Sequence, residues 1–162
     1  MIVNKAYRYR IYPTTAQKMM FAKTFGCVRF IYNKMLSDRI DYYKETGQKL
    51  NNTPAQYKKE FPWLKEVDSL ALANAQMNLN KAYSHFWNDS KHFGKPRFKS
   101  KKNSRASYST NNQKGSVRIE GHKVKLPKVG WVKLCQHRPL PENSIIKTVT
   151  IRKVLYQYAS GV

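Results

Sequence analysis

Between Lys91 and Arg105 the sequence places Lys91, Lys95, Arg97, Lys99, Lys101, Lys102 and Arg105 without a single acid, and sets Phe93, Phe98 and then Tyr108 among them. Cations at this density can neutralise phosphates, and flat rings between them offer nucleobases a stacking surface. A solvated basic linker would have the same composition. Nothing comparable points to catalysis. Cys27 and Cys135 lie far apart, forming neither a CxxC zinc pair nor a disulfide framework, and read as packing thiols. His85, His92, His122 and His137 have no ligand spacing and no nucleophile beside them. After Asp89 the only acids are Glu120 and Glu142, both in expected turns and both read as solvated. No cofactor and no metal are expected.

Composition sharpens this reading. The chain has 162 residues, and its 31 lysines and arginines against nine acids leave a formal charge of +22. Such self-repulsion destabilises a compact state unless a polyanion compensates it, so nucleic acid is the expected partner. A membrane surface is the competing polyanion. The sequence offers no long apolar stretch, however, and the start MIVNKAYRYR lacks a signal peptide's apolar core. A soluble protein of the bacterial cytoplasm and nucleoid, with no membrane partner, is expected.

The elements that must position these residues change in kind at the basic run, from helical before it to stranded after it. Alternation of Tyr7, Tyr9 and Ile11 with Arg8 and Arg10 predicts a half-buried strand over Val3–Tyr12 with a basic outer face. Thr14 and Gln17 have the spacing of a capping box, which predicts a helix over Thr15–Thr24. Gly26 is read as a break. A second helix then carries Val28, Ile31, Tyr32, Met35, Leu36, Ile40 and Tyr43 on one face and stops near Gly47. The pair reads either as a helix-turn-helix or as a packed hairpin. Pro54 opens a short helix to about Glu60, and Phe61-Pro62-Trp63-Leu64 follows as an apolar plug. Asp68 or Ser69 caps a further helix, whose Leu72, Ala75, Leu79, Tyr83 and Phe86 recur every three or four residues. Its opposite face carries Asn74, Asn78, Lys81 and His85. Side-chain amides there could read adenine edges, or simply face solvent.

Past the basic run, Val117 and Ile119, Val124 and Leu126, and Val132 and Leu134 alternate with cations as short strands, and Ile145–Tyr158 reads as a long final strand. The predicted class is α+β. Its strands would form a small barrel, into which Val3–Tyr12 folds back, with the helices inserted between the first strand and the rest.

Several stretches resemble, in the same order, the N-terminal half of the TnpB proteins of bacterial insertion sequences, relatives of the type V CRISPR nucleases. They are NKAYRYRIYPTTAQ, FGCVRFIYNKML, YYKETG, WLKEVDSLALANAQMNL, GKPRFKSKK with SYSTNN, and KLPKVGWVK. The resemblance implies a wedge-like β-barrel over 1–12 and 107–162, a helical recognition lobe over 13–90 and a basic connecting segment over 91–106. It also implies a guide RNA transcribed from the transposon end, and double-stranded DNA recognised at a short target-adjacent motif. Carried onto this chain, the motif-reading surface would draw on the loop before Pro54 with Asn52, the helix start with Ser69 and Asn74, and Asn111, Asn112 and Gln113. Arg8, Arg10, Lys95, Arg97, Lys99, Lys101 and Lys102 would grip the RNA or heteroduplex backbone.

The family cuts DNA with a RuvC-like domain, in which three acids hold two metal ions. The glycine- and aspartate-bearing strand that opens that domain is not found in YASGV. The resemblance therefore implies a nucleic-acid-binding portion of an RNA-guided endonuclease, without nuclease activity of its own. Two other readings stay open: a dimeric helix-turn-helix regulator using Val28–Tyr43, and a small basic structural RNA-binding protein.

Overall fold

Thr14 and Gln17 start the first helix as their spacing predicts. The Gln17 amide donates to Thr14 Oγ1 at 3.3 Å, and the Thr14 amide donates to Gln17 Oε1 at 2.9 Å. The two bonds satisfy orphan donors at the helix start. From there α1 runs unbroken over Thr15–Thr46 and ends at Gly47, whose φ of 69° is the left-handed cap that glycine adopts without strain. The computed structural model describes residues 2–102 and 105–153.

The expected break at Gly26 is absent, so the pair of helices read over 15–43 is one helix. A helix-interior glycine costs only about 1 kcal/mol. The apolar stripe on either side is enough to offset it: Phe21, Cys27, Val28, Ile31, Tyr32, Met35 and Leu36 are all buried on one face. The stripe fades toward the C-terminal end, where Tyr43 is exposed.

Pro54 opens α2 (Pro54–Glu60), and a 3-10 turn over Pro62–Glu66 buries Leu64. Helix α3 (Ser69–Asn88) is capped by Asp68, which accepts the Leu70 amide at 3.0 Å. Its Leu72, Ala75 and Leu79 are buried as the spacing predicts, while Tyr83 and Phe86 are half-buried toward the far end. The helix packs against both α1 and the first strand after the basic run.

Among the described residues there are six strands: five fall where the alternation of the sequence predicts them, two of these starting later than expected, and the sixth, β2, was not read from the sequence. Strand β1 is Arg10–Tyr12 rather than Val3–Tyr12. Tyr7 and Tyr9 are held instead by side-chain contacts: their rings stack at 6.4 Å, the Tyr9 hydroxyl donates to the Arg138 carbonyl, and the Arg138 guanidinium lies 4.9 Å from the Tyr7 ring. Strands β3 (Arg118–Glu120), β4 (Lys123–Leu126) and β5 (Gly130–Cys135) join β1 in an antiparallel sheet of order β1-β5-β4-β3. Strands β2 (Ser107–Asn111) and β6 (Thr148–Arg152) pair separately. Of the long strand expected over Ile145–Tyr158, the ladder covers Thr148–Arg152, and the stretch from 154 lies outside the described residues.

The class is α+β, with helices and two antiparallel sheets sharing one apolar cluster. Among the described residues the two sheets do not close into the expected barrel, because no ladder joins β2 or β6 to the four-stranded sheet. No helix among them is long and apolar enough to cross a membrane.

The continuity of α1 has a direct check. A Cβ added at Gly26 meets nothing within 4 Å, so Gly26→Ala should stabilise the chain by about 0.5–1 kcal/mol in urea unfolding. A loss of stability would mean that the chain turns there.

Candidate nucleic-acid interface

The basic run leaves α3 at Asp89 and crosses toward β2 largely in solvent. Lys91, Lys95, Arg97, Lys101, Lys102 and Arg105 are exposed, as are the rings of Phe93 and Phe98. One anchor fixes the run to the helices. The Lys99 amide donates to Asn33 Oδ1 at 2.7 Å and Asn33 Nδ2 donates back to the Lys99 carbonyl at 2.9 Å, so a side chain on α1 clasps the run's backbone. The Lys99 ammonium lies 4.4 Å from the centre of the Tyr32 ring, and desolvation there lowers its pKa from the ordinary lysine value. Phe93 is docked too, 4.7 Å from the His85 ring on α3. Tyr108, read as a third stacking ring, is instead buried in the core against Phe21 and Phe25. Burial, with Asp68 nearby, holds its phenol well above the ordinary value.

The acids do little to neutralise these cations. Glu66 pairs with Lys23 at 2.7 Å, Asp38 with Lys34 at 3.0 Å, and Asp89 with His92 at 2.8 Å. Asp68 is turned inward and accepts from Thr110 Oγ1 as well as from the Leu70 amide. The positive field is therefore concentrated outside, where it can meet a polyanion.

The residues expected to read DNA divide into two groups. Asn52 is 2% exposed, and its amide is committed internally. Its Oδ1 accepts from Arg39 Nε at 2.7 Å, and its Nδ2 donates to the Tyr57 hydroxyl at 2.8 Å and the Met35 carbonyl at 3.3 Å. Gln76 on α3 donates to the Asn52 carbonyl at 3.3 Å, and the Tyr57 hydroxyl donates to Asp38 Oδ2 at 2.7 Å. Asn52 thus fastens the loop before Pro54 onto α1 and α3. Asn74 is half-buried, donating to the Leu70 carbonyl at 2.8 Å. Asn112 joins two chain segments, donating to the Ile146 carbonyl at 2.9 Å and accepting the Val117 amide at 3.0 Å.

Ser69 and Gln113 are exposed and Asn111 is half-buried at the end of β2. The Thr110 to Asp68 bond brings the β2 end and the α3 start together, so Ser69 and the 111–113 segment share one neighbourhood. Arg8 and Arg10 are exposed on the N-terminal segment, beside β5. Among the described residues no three His, Cys, Asp or Glu side chains gather where they could hold a metal ion.

A basic exposed run clasped to a helical body also fits what the chain is similar to. A helix-turn-helix domain model, HTH_OrfB_IS605, matches residues 1–48. The Salmonella dublin virulence protein VsdF is 34% identical over 113 residues, a match covering 60% of this chain and 93% of VsdF. A Streptomyces pristinaespiralis protein named "Putative RNA-guided DNA endonuclease" is 32% identical over 93% of this chain. This chain belongs to the OrfB (TnpB) family of insertion-sequence proteins. The Escherichia coli K12 member InsQ, which carries the same descriptive name, is 24% identical over 91% of this chain. Here the chain spans 39% of the Streptomyces relative and 37% of InsQ. The family domain is named for a helix-turn-helix, yet most of the matched stretch in this chain is the single helix α1.

Sequence reasoning missed Asn33, because a clasp between positions 33 and 99 leaves no local pattern. The alternation that buries Val132 and Leu134 also turns Trp131 and Lys133 outward, where the sequence reading assigned them nothing.

Two outcomes test the Asn52 hub. Asn52→Ala takes the acceptor from Arg39 Nε and the donor from the Tyr57 hydroxyl and the Met35 carbonyl, and should cost about 1–3 kcal/mol in urea unfolding, whereas Lys95→Ala, on the exposed run, should change stability by less than about 0.5 kcal/mol. Burial and the bond to Asp38 also push the Tyr57 phenol from 10.0 up to about 12. The folded chain then holds this proton more tightly than the unfolded chain does. That contribution is complete below pH 10 and is lost as the pH rises toward 12. The stability difference between wild type and Tyr57→Phe should accordingly be flat below pH 10 and shrink above it.

Proposed function

We propose that this chain is the nucleic-acid-binding portion of a TnpB-type RNA-guided system. It holds a guide RNA transcribed from the transposon end and contacts double-stranded DNA at a target-adjacent motif. The observation that carries the reading is the acid-free run Lys91–Arg105, whose described cations are exposed and which is clasped to α1 at Asn33, in a chain of this family. Phosphate contacts from such a run would fix the position of a nucleic acid without reading its bases. In this reading residues 13–90 form a recognition lobe, 1–12 and 107–162 a wedge-like unit, and 91–106 the basic connection between them.

Ser69 and Gln113, exposed near the α3 start, would contact the DNA motif. Asn52, Asn74 and Asn112 would shape that surface from behind rather than touch a base. Binding and no cleavage is assigned to these residues. Glu120 stands on an exposed strand 4.0 Å from Arg118, and Glu142 lies in an exposed turn, so neither is given a catalytic role. A helix-turn-helix regulator using a Val28–Tyr43 recognition helix needs a turn before it, and α1 runs unbroken through Gly26, so that reading is not retained.

Sequencing the nucleic acid that copurifies with the chain, expressed beside its native flanking DNA, should enrich one RNA spanning the element's end. Replacing Lys95, Arg97, Lys101 and Lys102 with alanine should weaken binding. It should also flatten the salt dependence by about 0.7–0.9 in log–log slope for each phosphate that is no longer neutralised. Random RNA together with an unchanged slope would overturn the proposal.

A further inference from the structure

The outer face of the four-stranded sheet carries a second set of cations and rings, remote in sequence from the basic run. Register places Arg118, Lys125 and Trp131 side by side across β3, β4 and β5, and Glu120, Lys123, Lys133 and Tyr12 across all four strands. Lys123 and Lys133 stand directly opposite one another. Like charges in that relation destabilise a ladder. The one acid in these two rows, Glu120, lies 4.0 Å from Arg118 and not between the lysines. An anion seated over the pair would relieve the repulsion.

Two rings share this face with the charges. Tyr12 is 48% exposed and Trp131 37% exposed, although both belong to residue types that usually bury their rings. Trp131 is fixed from behind, since Gln17 Nε2 on α1 donates to its carbonyl at 2.7 Å. Glu120, Lys123 and Trp131 line an open depression of about 250 Å³. A flat ring laid on the indole there would have the Lys123 ammonium beside it for a phosphate. The Glu120 carboxylate could accept from an exocyclic amine.

We propose that this face is a platform for unpaired nucleotides, on which Trp131 stacks a base while Lys123 and Lys133 hold the adjoining phosphate. The proposal rests on the nucleic-acid reading above. Phosphate binding alone would suit a duplex equally. Stacking on exposed rings requires bases whose π-faces are free, and that favours single-stranded segments.

The test uses the full chain and fluorescence anisotropy. Three labelled probes are compared: an unstructured RNA of about 12 nucleotides, within the range of one small binding fold, the DNA strand of the same sequence, and the matching duplex. Trp131→Ala should weaken binding of the single strands by about tenfold and leave duplex affinity within about twofold, while Trp131→Phe recovers most of the loss. The RNA and DNA arms then show which sugar the platform prefers. Lys133→Ala should reduce the salt slope for single strands and raise the melting temperature, since it removes a repulsion. A purely structural lysine would lower that temperature.

Unchanged single-strand binding in Trp131→Ala, or an equal loss on single strand and duplex, overturns the platform. If the four-alanine variant of the basic run still loses binding in that case, the wider nucleic-acid reading stands without it. A wild type that binds none of the three probes overturns both.

Discussion

Asp68 is the joint on which the rest of this structure depends. Its carboxylate is buried, and a buried carboxylate is tolerated only where donors replace the water it has lost. The Leu70 amide supplies one donor at the start of α3, where the helix dipole also favours negative charge. Thr110, fully buried on β2, supplies another. The same carboxylate therefore starts the helix and ties it to the strand. Because Asp68 and Thr110 are 42 residues apart in sequence, this bond helps hold the helical and stranded parts of the chain to a single core. It also sets the exposed Ser69 close to the end of β2.

Local chemistry was legible where one residue type answers one backbone need. The Thr14–Gln17 capping box, Pro54 at a helix start, Asp68 as a cap and Gly47 as a stop all follow from orphan backbone groups near them. The buried Leu72–Leu79 stripe and the inward Val124, Leu126, Val132 and Leu134 follow from periodicity. Gly26 misled because its local cost is small beside the burial on either side of it. Tyr7 and Tyr9 alternate like strand residues, yet ring and hydroxyl contacts satisfy them without a ladder.

The candidate site was legible in its charges and less so in its amides. An acid-free basic run reads directly from the sequence as an exposed surface. An asparagine, by contrast, has the same appearance whether it faces a base or fastens a loop. Asn52 sits in a loop with no periodicity to mark it as buried, and its partners Met35, Arg39 and Gln76 come from two different helices. Tyr108 is similar: counted among the basic residues it resembled a stacking ring, but its place on β2 turned it toward Phe21 and Phe25.

Helix α1 has a mechanical consequence. Its 32 residues span about 48 Å, and side chains along that length attach it to three different parts of the chain. Gln17 reaches the back of Trp131, Asn33 clasps Lys99, and Asp38 and Arg39 hold the Tyr57–Asn52 network. The helix is therefore a ruler as well as a core element. One residue inserted between Gln17 and Asn33 would swing everything beyond it by about 100° and carry Asn33 away from Lys99. The spacing between the outer sheet face and the basic run is thus fixed by a count of helical turns.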